Sequence, residues 1–341
     1  MSVALRVVTA GPGVTVQDGG RHGWLRFGVS EAGPMDPLAH ATANLAVGAN
    51  PDAAALEVSL GGVEFAAEGG PVSLAIAGGR FAVSLDGRTL PPASLVRLEP
   101  DGRLSIRAGA CGAWCYVGVA GRLDIPPMLG SVSTHIRTQI GGLAGRALAA
   151  GDVLPIVEPR STDTPAAEIF APWLDRAPEV IRVILGPQDD YFAADQIAAF
   201  LAGPWSISAR SDRMAYLLEG PQLTHAKGFN IVSDGIPIGA IQVPGEGRPV
   251  VLMADRQPTG GYPKIATAIG VDVGRLAQLR PGARFRFAAV SLEEAVAARR
   301  AERKALAEPM TLEPLVRRDL SSEFLLGLNL VDGVTGGGER A

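Results

Sequence analysis

Val72-Ser73-Leu74-Ala75-Ile76-Ala77-Gly78-Gly79-Arg80-Phe81-Ala82-Val83-Ser84-Leu85-Asp86-Gly87 sets the fold class. Two short apolar runs of strand length are separated by Gly78-Gly79 and closed by Asp86-Gly87, pairs that suit tight hairpin turns. The same punctuation extends outward. Leu5–Val8, Val14–Gln17, Ser94–Leu98, Leu104–Ala108 and Trp114–Ala120 read as strands, Asp101-Gly102 as a turn, and Gly151-Asp152 as a turn into a closing strand at Val153-Leu154. The 43 glycines and 26 prolines of the 341 residues are spread along such segments. That spread predicts a mainly β protein, not a helical bundle or a regular βαβ array.

One helix interrupts this half. Asp36 can cap it, Pro37 suits its first turn, and Leu38, Ala41 and Leu45 fall on one face. Asp36, His40 and Asn44 share the opposite face, which either meets solvent or lines a cleft. Residues 155–178 carry five prolines and read as a linker. Arg182-Val183-Ile184-Leu185-Gly186-Pro187 then resembles the start of the first half, Arg6-Val7-Val8-Thr9-Ala10-Gly11-Pro12. A short helix is expected near Tyr191–Leu201, ended by Gly203-Pro204, with strands at Trp205–Ser208, Ile238–Val243, Val250–Met253, Leu276–Leu279 and Arg284–Ala289. Ser291 and Glu294 form a capping-box pattern that opens a charged helix. The expected division is therefore an N-terminal β domain (1–157), a linker (158–178), a second β domain (179–290), and a charged helix and tail (291–341). The tail holds a Phe324-Leu325-Leu326 cluster and a mobile Gly336-Gly337-Gly338 end.

A net charge of −4, with no basic block, argues against nucleic acid as a partner. No apolar run approaches the length of a membrane span, and no secretory signal pattern is evident at the first residues. The two cysteines, Cys111 and Cys115, do not make a disulfide framework, so the expected compartment is cytoplasmic. At i, i+4 they would share one strand face and pack in the interior. The four histidines are scattered and no zinc-ligand spacing occurs; no metal is expected. A Walker-type phosphate loop and a G-x-S-x-G nucleophile elbow are absent from the sequence.

Polar clusters on turns remain. The densest is Asp255-Arg256-Gln257-Pro258-Thr259-Gly260-Gly261-Tyr262-Pro263-Lys264, placed by the apolar run Pro249–Ala254. The others are Gln17-Asp18-Gly19-Gly20-Arg21, Ser30–Asp36 leading into Asn44, Ser211-Asp212-Arg213-Met214, and Ser233-Asp234-Gly235 with Gln242. Together they supply guanidinium groups for a carboxylate or phosphate and amides for a planar polar ligand. Lys264 and Tyr262 are candidate proton donors or oxyanion stabilisers. No activated nucleophile accompanies them. The set suits electrostatic positioning of a small amide-like substrate.

Thr15-Val16-Gln17-Asp18-Gly19-Gly20-Arg21, Gly33-Pro34-Met35-Asp36 and Ala43-Asn44 resemble the start of the biotin-dependent carboxyltransferase family. That family includes the allophanate hydrolase subunit 2 and Kip-A types. Gly118–Gly121, Gly130-Ser131-Val132-Ser133-Thr134, Gly141-Gly142, Ser211–Met214, Gly239–Pro244 and the Asp255–Lys264 loop follow in order, over about residues 3 to 290. The resemblance is greatest to the C-type subunits of 5-oxoprolinase. It implies two cyclophilin-like β-barrel domains with a few short helices and one C-terminal helix. It also implies one component of an ATP-dependent 5-oxoprolinase, a hydrolase inactive or weakly active alone, acting on a small amide together with A-type and B-type (Kip-I type) partners. In that setting Lys264, Tyr262 and Gln242 would be catalytic. Asn44, Asp36, Gln17, Asp18, Arg21, Arg213, Asp255 and Arg256 would bind substrate. The family also allows the carboxyltransferase half of a biotin-dependent urea or amide carboxylase, or a Kip-A type regulator that binds a sensor-kinase inhibitor. No biotin-carrier lysine segment or ATP motif is present, so any biotin or ATP is expected on another chain, or its binding here is cryptic. Three positions depart from the family pattern: Pro258 where Thr is expected, Ala215 where Gly is expected, and Val132 where Arg is usual. Arg21 or Arg137 is the expected substitute for the missing charge at 132.

Overall fold

A computed structural model of the chain describes residues 2–161, 166–176 and 179–315. Most of its elements are strands, as expected. Two seven-stranded sheets are built mainly from strands of the first half. One runs in the order Arg122–Leu123, Val153–Val157, Ala4–Ala10, Val63–Glu68, Leu104–Arg107, Ala82–Leu85 and Arg88–Leu90. The other runs Thr15–Gln17, Ala55–Val58, Cys115–Val119, Val72–Gly78, Ser94–Leu98, Ala166–Phe170 and Thr311–Pro314. Their facing side chains make one core: Leu5, Val7, Phe65 and Ile106 from the first sheet meet Val16, Leu56, Leu74 and Val117 from the second. The hairpin read from Asp86-Gly87 is present, with Val83 opposite Leu90, and Asp86 takes the positive φ of 49° that such a turn demands.

The second half closes into a seven-stranded barrel: Val180–Leu185, Lys264–Ala268, Ala240–Gln242, Val250–Leu252, Ala215–Glu219, Trp205–Ile207 and Arg284–Ala289. Parallel pairing of the first of these with the last completes the ring, leaving no open edge. The barrel core does not stop at the barrel. Met35, Ala39, Trp114 and Tyr116 of the first half belong to the same apolar cluster.

Among the described residues four α-helices accompany the sheets: α1 (Pro37–Ala46), α2 (Ala194–Ala202), α3 (Gly270–Ala277) and α4 (Leu292–Ala307). The Asp36 carboxylate caps α1 and Pro37 occupies its first turn. The polar face of α1 does not meet solvent: His40 and Asn44 are as enclosed as Ala39 and Ala43, while Asp36 at its start borders a cavity. The helix packs on Cys115–Val119 and Val72–Gly78 and touches α3. The approach to the sheet is close enough to require glycine at 118, where a Cβ would lie 2.5 Å from the Ala43 carbonyl oxygen. Ser291 and Glu294 complete the capping box of α4.

Three expectations are corrected. Leu276–Leu279 is not a strand; it overlaps the end of α3, where Val271, Val273, Leu276 and Ala277 are buried. A short apolar run fits either period, and tertiary packing decides between them. The proline-rich stretch holds a strand, Ala166–Phe170, which pairs with Ser94–Leu98 on one side and with Thr311–Pro314, after α4, on the other. Cys111 and Cys115 do not share an environment: Cys115 is buried on its strand, whereas Cys111 precedes that strand and is exposed. The Phe324-Leu325-Leu326 and Gly336–Gly338 segments lie outside the described residues.

Candidate functional site at the seam between the halves

The seam is built on charge. Arg213, just before strand Ala215–Glu219, sends a fork of two hydrogen bonds to the Asp255 carboxylate, Nε to Oδ2 at 3.1 Å and Nη2 to Oδ1 at 3.0 Å. Its Nη1 pairs with Glu57 and its Nη2 also donates to the Gly33 carbonyl at 2.6 Å. Glu57 in turn accepts the Met35 N–H and the Tyr116 hydroxyl, each at 2.8 Å, and the Tyr116 oxygen accepts the Asp36 N–H at 2.8 Å. All of these side chains are buried. Burial works against the Arg213 charge, but Asp255 and Glu57 outweigh it and hold the guanidinium protonated. Burial pushes the Glu57 carboxyl up, with Arg213 opposing. Arg213 and Asp255, expected to meet substrate, are thus committed to each other and to the first half.

The Gln17–Arg21 turn is tied the same way to residues 128–134. The Asp18 carboxylate accepts from Ser131 Oγ (2.5 Å), Ser133 Oγ (2.6 Å), Val132 N (2.7 Å) and Gly20 N (3.0 Å). Burial raises its pKa, yet these bonds together leave it below the ordinary value of 3.8. Arg21 is 1% exposed and donates to the carbonyls of Met128 (2.9 Å), Ser131 (3.3 Å) and Ser133 (2.9 Å). Val132 contributes its N–H here, so the arginine usual at that position in the family is not needed to hold Asp18. Arg137 pairs with Asp212 at 3.0 Å. Gln17 donates to Thr15 Oγ1 (2.9 Å) and the Thr134 carbonyl (3.1 Å).

At one end of the barrel, the loop after Val250–Leu252 folds back so that Thr259-Gly260 pairs with Asp234-Gly235. Gln242 and Lys264 face one another across neighbouring strands, beside a register shift. Lys264 is 1% exposed, and its Nζ lies 2.9 Å from Oδ2 of the half-exposed Asp234. The Lys264 hydrogen bond is the main cause holding the Asp234 carboxyl below its ordinary range. Gln188 accepts the Lys264 N–H at 3.1 Å. Gly260 passes so close to Gln242 that a Cβ there would lie 2.8 Å from Nε2. Arg256 donates from Nε to the Ile236 carbonyl (2.8 Å) and from Nη2 to Glu31 (2.7 Å), joining this loop to the first half. Burial raises the Glu31 pKa, but Arg256 outweighs it and holds the carboxyl down. Pro258 contributes its carbonyl, which accepts the Ile236 N–H at 3.0 Å. That bond needs no N–H at 258, which accounts for proline being accepted there. Tyr262 is 39% exposed, at the rim.

The structure therefore gathers Gln242, Lys264, Arg256 and Tyr262 on the loop end of the barrel. The Gln17–Arg21 turn adjoins them: the Arg21 N–H donates to the Glu31 carbonyl at 2.7 Å, and His135 contacts the Asp255 carbonyl at 3.4 Å. Asn44 connects to Gln17 only through His40, and its amide donates to the carbonyls of Pro51 (3.2 Å) and Ala53 (2.8 Å). The Asp36 carboxylate faces Arg176 and Gln278 instead. Glu57, Tyr116 and Gln188 are not singled out by the sequence, whereas Glu31 falls within the Ser30–Asp36 cluster. Glu57 carried a signal, a lone carboxylate inside the apolar run Ala55–Val58, which a buried strand tolerates only with a partner.

One pattern marks several of the expected site residues. Buried side-chain polar atoms nearly always find partners. Among the described residues Gln17 Oε1, Arg21 Nη1, Asn44 Oδ1, Gln242 Nε2, Arg256 Nη1 and, away from these, Arg176 Nε and Nη1 have none. Five of these seven atoms belong to residues expected to contact substrate. Among the described residues no group of three His, Cys, Asp or Glu side chains is placed to hold a metal ion, and no helix is long and apolar enough to cross a membrane.

A family model for the carboxyltransferase domain, subdomain A and B, matches residues 27–289. The C-type subunit of 5-oxoprolinase from Escherichia coli is 38% identical over 303 residues, which cover 88% of this chain and 96% of that protein. Its namesake from Haemophilus influenzae is 35% identical over 288 residues, covering 84% and 91%. The crystal structure of Kluyveromyces lactis urea carboxylase matches with a TM-score of 0.82 at 28% identity, covering 89% of this chain but only 29% of that much longer one. With the Gln17–Arg21 turn, the Arg213 fork and the Asp255–Lys264 loop all inside or beside the matched span, the chain belongs to the carboxyltransferase domain family, subdomain A and B.

Proposed function

We propose that this chain is a subunit of an ATP-dependent 5-oxoprolinase that opens 5-oxoproline to glutamate, working with A-type and B-type partners. The observation that carries the reading is the set of unpartnered buried atoms at the barrel end, Gln242 Nε2 and Arg256 Nη1, beside the Lys264 ammonium. The names and coverage of the bacterial relatives support it. 5-Oxoproline presents a ring carbonyl, a ring N–H and a carboxylate. Lys264 and Gln242 would donate to the carbonyl oxygen, where negative charge develops as water adds. The ring C–N bond then breaks, and the nitrogen takes a proton to leave as the amine. The spare Nη1 of Arg256 would meet the carboxylate, and Tyr262 would close the rim. Asp234 keeps the Lys264 charge compensated until substrate arrives.

ATP would be consumed at the complex level, its γ-phosphoryl group passing to the carbonyl oxygen with release of ADP and leaving as phosphate as water completes ring opening. The donors left over at the barrel end number too few to cradle a triphosphate, and no phosphate loop is present in the sequence, so on this reading the nucleotide is handled by a partner. The test is reconstitution with A-type and B-type partners and an assay of glutamate release. A preorganised oxyanion donor is worth about 3 kcal/mol of barrier, roughly a hundredfold in rate. Lys264→Ala should therefore cut turnover about a hundredfold, and near-normal turnover would remove Lys264 from the mechanism. The fold match to urea carboxylase favours one second reading, the carboxyltransferase half of a biotin-dependent amide carboxylase. It requires a biotinylated partner, which pull-down and avidin blotting would detect.

A further inference from the structure

We propose that the cavity walled by Asp36, Arg80, Arg176, Gln278 and Arg280 is a second binding site, for a small anion carrying carboxylate or phosphate groups. The cavity measures about 560 Å³, within the range of pockets that take small metabolites, roughly 300–1,000 Å³. None of Gln242, Lys264, Arg256 or Asp234 lines it. Its walls come from both halves: the Gly78–Arg80 and Ala110–Gly112 turns on one side, and α3 with Arg280 on the other.

The charge chemistry selects the ligand. Arg80, Arg176, Arg275 and Arg280 line the space against Asp36, Asp175 and Glu179. Asp36 is already spent: its Oδ2 accepts from Arg176 (2.7 Å) and from Gln278 (2.9 Å), and its Oδ1 caps α1. Asp175 is mostly exposed and only loosely paired with Arg80, at 3.8 Å. Arg280 is fixed in place by the carbonyls of Gly112 (2.7 Å) and Gly109 (3.0 Å). Arg176 retains two buried donor nitrogens, Nε and Nη1, without partners among the described residues. A cation with spare donors, in a roomy cavity whose deepest carboxylate is already neutralised, suits an anion.

Cys111 sits on the cavity wall and is exposed, while the only other cysteine, Cys115, is buried with its thiol pushed up to about 12 by burial. Thiol labelling of the intact chain therefore reports on this cavity alone. The experiment measures the labelling rate of Cys111 at constant ionic strength with sodium glutamate, inorganic phosphate or ATP as probe. At ten times its dissociation constant a bound anion should slow labelling about tenfold, saturably. Protection by glutamate alone assigns a carboxylate ligand, and protection by phosphate or ATP assigns a phosphate ligand. Arg176→Gln and Arg80→Glu should each abolish the protection. Arg80 is largely exposed and weakly paired, so Arg80→Glu decides the matter if Arg176→Gln does not fold. A rate indifferent to all three anions overturns the site, as does protection that both variants retain.

Discussion

Replacing Arg213 by methionine tests whether the seam is held by its buried ion pairs. The guanidinium joins Asp255 and Glu57 and also satisfies the Gly33 carbonyl. Methionine fills the volume but leaves two enclosed carboxylates facing each other without a counter-charge. Breaking such a pair costs about 3–5 kcal/mol. Glu57 limits the loss, because burial already favours its protonated form and the carboxyl can take up a proton. The expected loss is therefore near the lower end, about 3 kcal/mol, or a fall in Tm of about 6–12 °C for a domain of this size. The sign of its pH dependence follows. In the variant the Glu57 carboxyl, raised by burial and no longer opposed by Arg213, has a folded pKa above its unfolded one, so the folded variant binds more protons, and its deficit grows as pH rises above the ordinary glutamate value of 4.5. Urea unfolding at several pH values, read by linear extrapolation, measures both quantities. A deficit under about 1 kcal/mol, or one that does not change between pH 5 and 8, roughly, would refute the reasoning. Arg213→Lys should fall between the two proteins, since it restores the charge without the fork.

Three further outcomes are expected. Asp18→Asn should cost about 2 kcal/mol at neutral pH, because the carboxylate accepts charge-assisted bonds from two hydroxyls and two N–H groups. The Asp18 pKa is depressed in the folded state, so its contribution is present above the unfolded value of 3.8 and lost as pH falls through the folded one. Acid titrations of stability should show that limb in the parent chain and a weaker one in the variant. Gln242→Leu should lose turnover in the reconstituted complex yet match or exceed the parent in stability by about 1 kcal/mol, since it removes an unpartnered buried amide; a variant that is both active and less stable would contradict this. Ser291→Ala removes one arm of the capping box and should cost α4 about 1 kcal/mol, read as faster amide exchange confined to its first turns.

The fold was legible where turn chemistry was strong. Asp86-Gly87 placed a hairpin, and Asp36-Pro37 placed a helix start, because each uses a backbone conformation that few residues accept. It was illegible where partners are distant. Nothing local marks Ala166–Phe170 as a strand, since its ladder partners are Ser94–Leu98 and Thr311–Pro314. The site shows the same division. Reading Gln17, Asp18, Arg21 and Arg213 as polar residues held at turns was sound, but most of their polar atoms serve the chain itself. Asp18 meets residues more than a hundred positions away, and so do Arg21 and Arg213. A sequence shows a donor, not whether the fold has already used it.

That distinction sharpens what the site can recognise. The spare atoms are of both kinds: Gln17 Oε1 and Asn44 Oδ1 are acceptors, whereas Arg21 Nη1, Gln242 Nε2 and Arg256 Nη1 are donors. The orientation of the two acceptor amides is fixed, because their nitrogens donate to the backbone carbonyls of Thr134, Pro51 and Ala53. A phosphate would use donors only and leave the acceptors without a purpose. A cation would use acceptors only. On the proposed reading, in which these atoms serve one ligand, an amide bearing a carboxylate would ask for both, an acceptor for N–H and donors for the carbonyl and carboxylate oxygens. Each buried atom left unmet costs about 1–3 kcal/mol. A chain that leaves several unmet, on residues already held rigid by other bonds, has given up stability where a ligand of mixed hydrogen-bonding character would return it.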